Sequence, residues 1–114
     1  MKKFCFALDL KDDPELIHQY ETYHKPENAW PEVTQGMLDS GIKNMEIYRT
    51  GNRLFMIMET SDDFDFRLKE QMDRSNAKVM EWESLMSQFQ LPLSWSAENE
   101  KWAPMARIFT LIPA

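Results

Sequence analysis

Hydrophobic positions change period several times along this chain, and each change marks an element. Phe4-Cys5-Phe6-Ala7-Leu8 is apolar at every position, the pattern of a strand covered on both faces, and it stops at Asp9-Leu10-Lys11-Asp12. Asp13 followed by Pro14 reads as a helix start, because the carboxylate can cap free N–H groups and proline is tolerated in the first turn. Leu16, Ile17, Tyr20, Tyr23 and His24 then recur at helical spacing until Pro26 ends the helix. A second start at Trp30-Pro31-Glu32 leads into a helix with Val33, Met37 and Leu38 as its inward face and Gly41 placed to terminate it.

From Ile42 to Arg49 the chain alternates and favours extended structure, and Leu54 to Glu59 is a further strand-like run. Gly51-Asn52 between them suits a tight hairpin turn, which makes the two strands antiparallel neighbours. Ser61-Asp62-Asp63 offers a cap for a helix from about Phe64 to Asp73, and Ser75 or Asn76 caps another that runs to about Phe89. The apolar stripe of that last helix is Val79, Trp82, Leu85, Met86 and Phe89. Gln90 to Pro104, with two tryptophans and several polar residues, reads as a long connection, and Met105 to Ile112 as the last strand. The order βαββαβ predicts an α+β, ferredoxin-like domain over residues 1–114, with helices packed on one face of a four-stranded sheet. Strand one is apolar on both faces, so the other sheet face needs a cover, and a second subunit packed sheet to sheet would provide it. A homodimer is the expected assembly.

Composition narrows the partners. A chain of 114 residues, 43% hydrophobic, suits one domain with a real core. Thirteen basic residues against nineteen acidic ones give a net charge of -6, and no block of Lys or Arg offers a footprint for phosphates. Nucleic acid and anionic membrane are therefore poor partners. No apolar run approaches the roughly 20 residues that span a bilayer, and Met1-Lys2-Lys3 leads into a strand-like stretch too short for the core of a signal peptide. The expected location is the cytoplasm. Cys5 is the only cysteine, which rules out an internal disulfide and a thiolate-rich zinc site and leaves an inert buried thiol as its reading.

Candidate chemistry gathers around one of the two histidines. Tyr20 and His24 are four residues apart, so they share a helix face, and an imidazole with a pKa of about 6.5 can give and take a proton near neutrality. The same position also complements the helix dipole and can bond to free carbonyls there. Trp30 and Glu32 follow just downstream, and Glu32 either assists His24 or simply favours the first turn of its helix. Tyr20, Tyr48 and Trp82 could form an aromatic platform for a sugar, whose C–H side suits a ring and whose hydroxyls suit polar neighbours. Each of these aromatics also fits a core role, and Trp95 and Trp102 read equally well as plugs over the core. The pairs Asp12-Asp13 and Asp62-Asp63 each precede a helix, so capping accounts for them, and His18 is expected to face solvent or the helix layer. No spacing argues for a metal, a cofactor or a serine triad.

Several separated segments carry a family likeness. Tyr20 to Glu32, Met45-Glu46-Ile47-Tyr48-Arg49-Thr50-Gly51-Asn52-Arg53-Leu54-Phe55-Met56, Trp82-Glu83-Ser84-Leu85-Met86 and the tail at Ile108-Phe109 resemble the L-rhamnose mutarotase family, which includes members associated with L-fucose. The likeness covers nearly the whole chain. It implies a dimeric α+β barrel, exchange of the α and β anomers of a 6-deoxy-hexose without cofactor or metal, His24 as the acid/base residue and Trp82 as a sugar contact. The matching residues of the family motif are Tyr20, His24, Trp30, Pro31 and Glu32. Five residues separate His24 from Trp30, a longer spacer than the family motif has; Met45 stands where some members have a binding tyrosine and Glu81 where some have a second tryptophan. Two other classes compete: a small oxygenase or haem-degrading barrel with a lone histidine, and a non-catalytic sugar-binding module.

Overall fold

In the strand Arg53–Thr60 every second residue is buried: Leu54, Met56, Met58 and Thr60 point one way, and the half-buried Arg53, Phe55, Ile57 and Glu59 point the other. That alternation divides the sheet into a core face and a second face. The computed structural model describes residues 1–112. The elements in order are β1 (Lys2–Leu10), α1 (Pro14–Tyr23), a single 3₁₀ turn over Pro26–Asn28, α2 (Pro31–Asp39), β2 (Ile42–Thr50), β3 (Arg53–Thr60), α3 (Phe66–Arg74), α4 (Ala77–Ser87), β4 (Gln90–Leu91) and β5 (Ala103–Pro104). The strand order is β2-β3-β1-β4 with β5 also on β1, and every pairing is antiparallel, the ferredoxin-like arrangement expected from the sequence.

The β1–β3 register sets Phe4, Phe6 and Leu8 opposite Met58, Met56 and Leu54, so these side chains share the core face. All the helices pack there. At one end Leu10, Tyr20, Leu54, Met86 and Phe89 form a buried cluster that draws in Trp82 and Trp102; at the other, Ile42, Met58 and Phe64 are joined by Phe4, Phe6, Met37 and Met45. On the second face Ala7, Leu93 and Ala103 pack with Phe55, so the chain's own segment after β4 covers part of it.

The local starts and stops follow backbone chemistry. Asp13 Oδ1 accepts from the N–H of Glu15 and Leu16 at 2.9 and 3.2 Å, which fixes the start of α1. Gly51 turns the β2–β3 hairpin with φ +57°, and Gly41 leaves α2 with φ +101°, where a Cβ would lie 2.8 Å from the Ser61 hydroxyl oxygen. Both glycines are required by geometry.

The structure corrects four expectations. Met105–Ile112 forms no strand: after Met105 N–H donates to Cys5 C=O at 2.8 Å, nothing among the described residues pairs with the segment's backbone. Ile108, Phe109, Leu111 and Ile112 are consequently 75–96% exposed. The fourth sheet position is filled instead by β4 and β5, two-residue strands at the ends of the stretch expected to be a plain connection. The helix expected from Phe64 starts at Phe66, because Asp65, not Ser61-Asp62-Asp63, caps it, while Asp62 pairs with the N-terminal amine at 2.6 Å. Leu38 does not belong to the inward face of α2; it is exposed, whereas Val33 is buried and Met37 half-buried.

Candidate functional site

The last turn of α1 and the middle of α4 meet over the Tyr20 end of the core, and the side chains they bring together carry the heteroatoms. Tyr20 is buried, and the His24 ring lies on it at 4.4 Å between centroids and 36° between planes. His24 Nδ1 sits 2.7 Å from the Tyr20 carbonyl oxygen. A carbonyl only accepts, so Nδ1 carries the hydrogen, and in the neutral ring Nε2 holds a free lone pair. The capping role open to a histidine at this position is thus present, and it selects the tautomer. Partial desolvation by the surrounding rings lowers the His24 pKa from 6.5, opposed by the bond to Tyr20, so the neutral base dominates at pH 7, although the residue as a whole is exposed.

Trp82 on α4 places its ring edge-on at 5.4 Å from His24 and 5.2 Å from Trp30, the residue that precedes α2. Tyr23 closes the group at 6.3 Å from Trp82. Lys78 Nζ lies 5.9 Å from the Trp30 ring centroid and 3.3 Å from Glu81 Oε2. Deeper in, the Tyr20 hydroxyl accepts from Gln90 Nε2 at 3.2 Å. Burial pushes the Tyr20 pKa up to about 12, with the Gln90 bond acting the other way and Glu83 adding to the rise. This phenol remains protonated throughout the ordinary pH range.

Tyr20, His24, Trp30 and Trp82 are therefore brought together, and two other sequence candidates are not. Tyr48 pairs with Phe55 on the second sheet face, is 54% exposed and donates its hydroxyl to Glu46 Oε2 at 2.7 Å. Glu32 stands exposed in the first turn of α2. His18 is exposed on α1 and lines an open depression of about 470 Å³ with Asp12, Ile17, Glu21 and Arg49, whose Nε is 2.6 Å from Glu21 Oε1. Trp102 packs on the core, whereas Trp95 is 67% exposed with the Arg53 guanidinium 5.6 Å from its ring. The residue that sequence reasoning missed is Gln90. It lies beyond the end of α4 at Ser87 and opens β4, so no helical spacing marked it and the sequence held no local signal for it.

The sequence model of the family described as L-rhamnose mutarotase matches residues 3–111. The chain belongs to that family. Membership in the L-rhamnose mutarotase family makes the protein an isomerase of the anomer-interconverting kind. The chain is similar to an L-fucose mutarotase of Xanthomonas campestris pv. campestris, with 43% identity over all of this chain and 91% of that protein. It is also similar to a UPF0734 protein of Dictyostelium discoideum, 40% identical over 96% of this chain and 90% of that one. Among solved structures, an L-rhamnose mutarotase from Formosa agariphila superposes with a TM-score of 0.68 at 19% identity, covering 98% of this chain and 100% of the other. Tetracenomycin F2 cyclase from Streptomyces glaucescens does so at 0.61 and 19%, covering 96% and 98%. At that identity the two structures speak for the fold alone.

Proposed function

We propose that this mutarotase acts on a 6-deoxy-L-hexose, L-fucose or L-rhamnose, with His24 as its acid/base residue. One observation carries the assignment of His24. The 2.7 Å contact of Nδ1 with the Tyr20 carbonyl leaves Nε2 as the free base, on a ring walled by Trp82 and Tyr20. Nε2 takes the proton from the anomeric hydroxyl, the C1–O5 bond breaks, and O5 receives a proton from a water or other donor at the mouth of the site. The open aldehyde turns about C1–C2, O5 adds to the opposite carbonyl face, and the protons return. Positioned acid/base catalysis contributes about 10² to 10⁴ in rate, enough for a reaction that proceeds unaided in water. Trp82 and Trp30 present ring faces and edges to the C–H side of the sugar, and the buried Tyr20 forms the floor beneath the imidazole. Tyr48 and Glu32 lie outside this group within one protomer, and the proposed chemistry gives them no part.

Saturation-transfer NMR on L-fucose and L-rhamnose, with the native protein and His24→Ala, tests this reading. Exchange accelerated by the native protein and lost in the variant supports it and ranks the two sugars. Full activity in His24→Ala sinks the assignment, and sugar binding without faster exchange returns the protein to the binding-module class.

Assembly and location belong to the same proposal. The exposed apolar tail and the part of the second face left open around Cys5 and Ile57 support a homodimer in which a second copy covers both. No helix among the described residues is long and apolar enough to cross a membrane, and a cytoplasmic location is proposed from the sequence pattern.

A further inference from the structure

We propose that Gln90 is a positioning residue for His24 and acts through the side chain of Tyr20. The inference rests on the assignment of His24 as the acid/base group. Gln90 is 7% exposed and opens β4 in register with Leu10, at the edge of a cluster otherwise made of Leu10, Tyr20, Leu54, Met86 and Phe89. An apolar residue would be the ordinary occupant. Among the described residues the amide makes one hydrogen bond, Nε2 to the Tyr20 hydroxyl at 3.2 Å, across 70 positions of sequence, and its Oε1 is buried with no partner. A buried acceptor left unpaired costs stability, so packing alone does not explain the residue.

The bond does explain it. Tyr20 touches His24 twice, through the stacked ring at 4.4 Å and through the carbonyl that fixes the tautomer. The helix backbone holds the carbonyl end, and Gln90 holds the phenol end. With both ends fixed, the long axis of the Tyr20 ring is held beneath the imidazole, and with it the position from which Nε2 faces the mouth of the site. Without the amide the ring can rock on Phe89, 6.0 Å away, and the imidazole above it gains water. The charged groups flanking this path are Glu83, bonded to Lys101, and Glu81, bonded to Lys78.

A double-mutant cycle with Gln90→Met and Tyr20→Phe tests the pathway, read by anomeric exchange, by melting temperature and by NMR titration of the histidines, of which the chain has only two. Gln90→Met removes an unpaired buried oxygen and also strands the buried Tyr20 hydroxyl, two opposed effects, so the melting temperature is expected to change little. The substitution should lower kcat by roughly 10- to 100-fold, with KM changed less than kcat. Tyr20→Phe should lower kcat similarly but also lower the melting temperature, since it strands the amide, and adding Gln90→Met should recover stability without further loss of rate. In each variant the His24 pKa should rise toward 6.5 as the ring is rehydrated. An unchanged kcat in Gln90→Met, additive losses in the double variant, lost activity matched by lost folding, or an unmoved His24 titration each overturns the proposal. If the native protein fails to accelerate exchange of either sugar, the mutarotase reading fails separately. The histidine titration, which needs no sugar, still decides the positioning role.

Discussion

Two aromatic clusters sit on the core side of the sheet, and they are built from different materials. Phe4, Phe6, Phe64 and Phe66 meet with centroid distances of 4.8–6.3 Å and no heteroatom among their rings. Tyr20, His24, Trp30 and Trp82 meet at 4.4–5.4 Å, and every ring carries a nitrogen or an oxygen. Ring contact geometry does not separate them. Polar handles do, together with the backbone partner that fixes the His24 tautomer and the Lys78–Glu81 pair at the rim. Stacking alone thus marks a core, whereas stacking with oriented donors and acceptors marks a place where chemistry can occur.

The contrast breaks most sharply at His24. His24→Ala is expected to lower kcat by about 10² to 10⁴ while leaving the melting temperature within a few degrees, measured by saturation transfer and by thermal melts. Phe64→Ala is the mirror experiment. It should destabilise the fold by about 3–5 kcal/mol in denaturant titrations, with kcat per folded molecule unchanged. A loss of kcat in folded Phe64→Ala protein would erase the distinction between the clusters. Trp82→Ala, which truncates a half-buried ring shared by core and site, should raise KM roughly 3- to 10-fold, the size of an aromatic contact, and lower stability less than Phe64→Ala. A collapsed melting curve would return Trp82 to the core.

The smallest effect is on pH dependence. Because the folded His24 pKa lies below 6.5, the midpoint of the acid-side fall in kcat should lie below pH 6.5. Stability carries the same sign. The unfolded imidazole binds its proton first, so the contribution of the neutral folded ring is complete above 6.5 and is lost as pH falls through the window beneath it. A kcat profile centred above 6.5 would contradict the desolvated ring.

The parts of the molecule that could be read from the sequence are those where local chemistry and tertiary context agree. The Gly51-Asn52 turn, the Asp13 cap and the alternation of Leu54, Met56 and Met58 each follow from spacing or backbone preference, and together they fix the β2–β3 hairpin, the start of α1 and the core face of β3. Tyr20 and His24 were legible because one helix carries both. Their meeting with Trp30 and Trp82 depended on how α2 and α4 pack, and the likeness of separated segments to a known family, not periodicity, pointed to it. Gln90 escaped because its role lies in a bond to a residue 70 positions away. Met105–Ile112 differs for another reason: its apolar pattern is strand-like, but a strand needs a neighbour, and the described residues offer one only to Met105.

The opening on the second face gives Cys5 a further significance. This lone thiol is half-buried beside the point where the tail departs, with Ile57 across the ladder and Met105 bonded to its carbonyl. In the proposed homodimer it becomes a gauge of association that requires no engineered label. Its rate of alkylation should slow as protein concentration rises and subunits close over it, and should quicken again on dilution. A single residue in the first strand would then report, in minutes at the bench, how much of the protein stands alone.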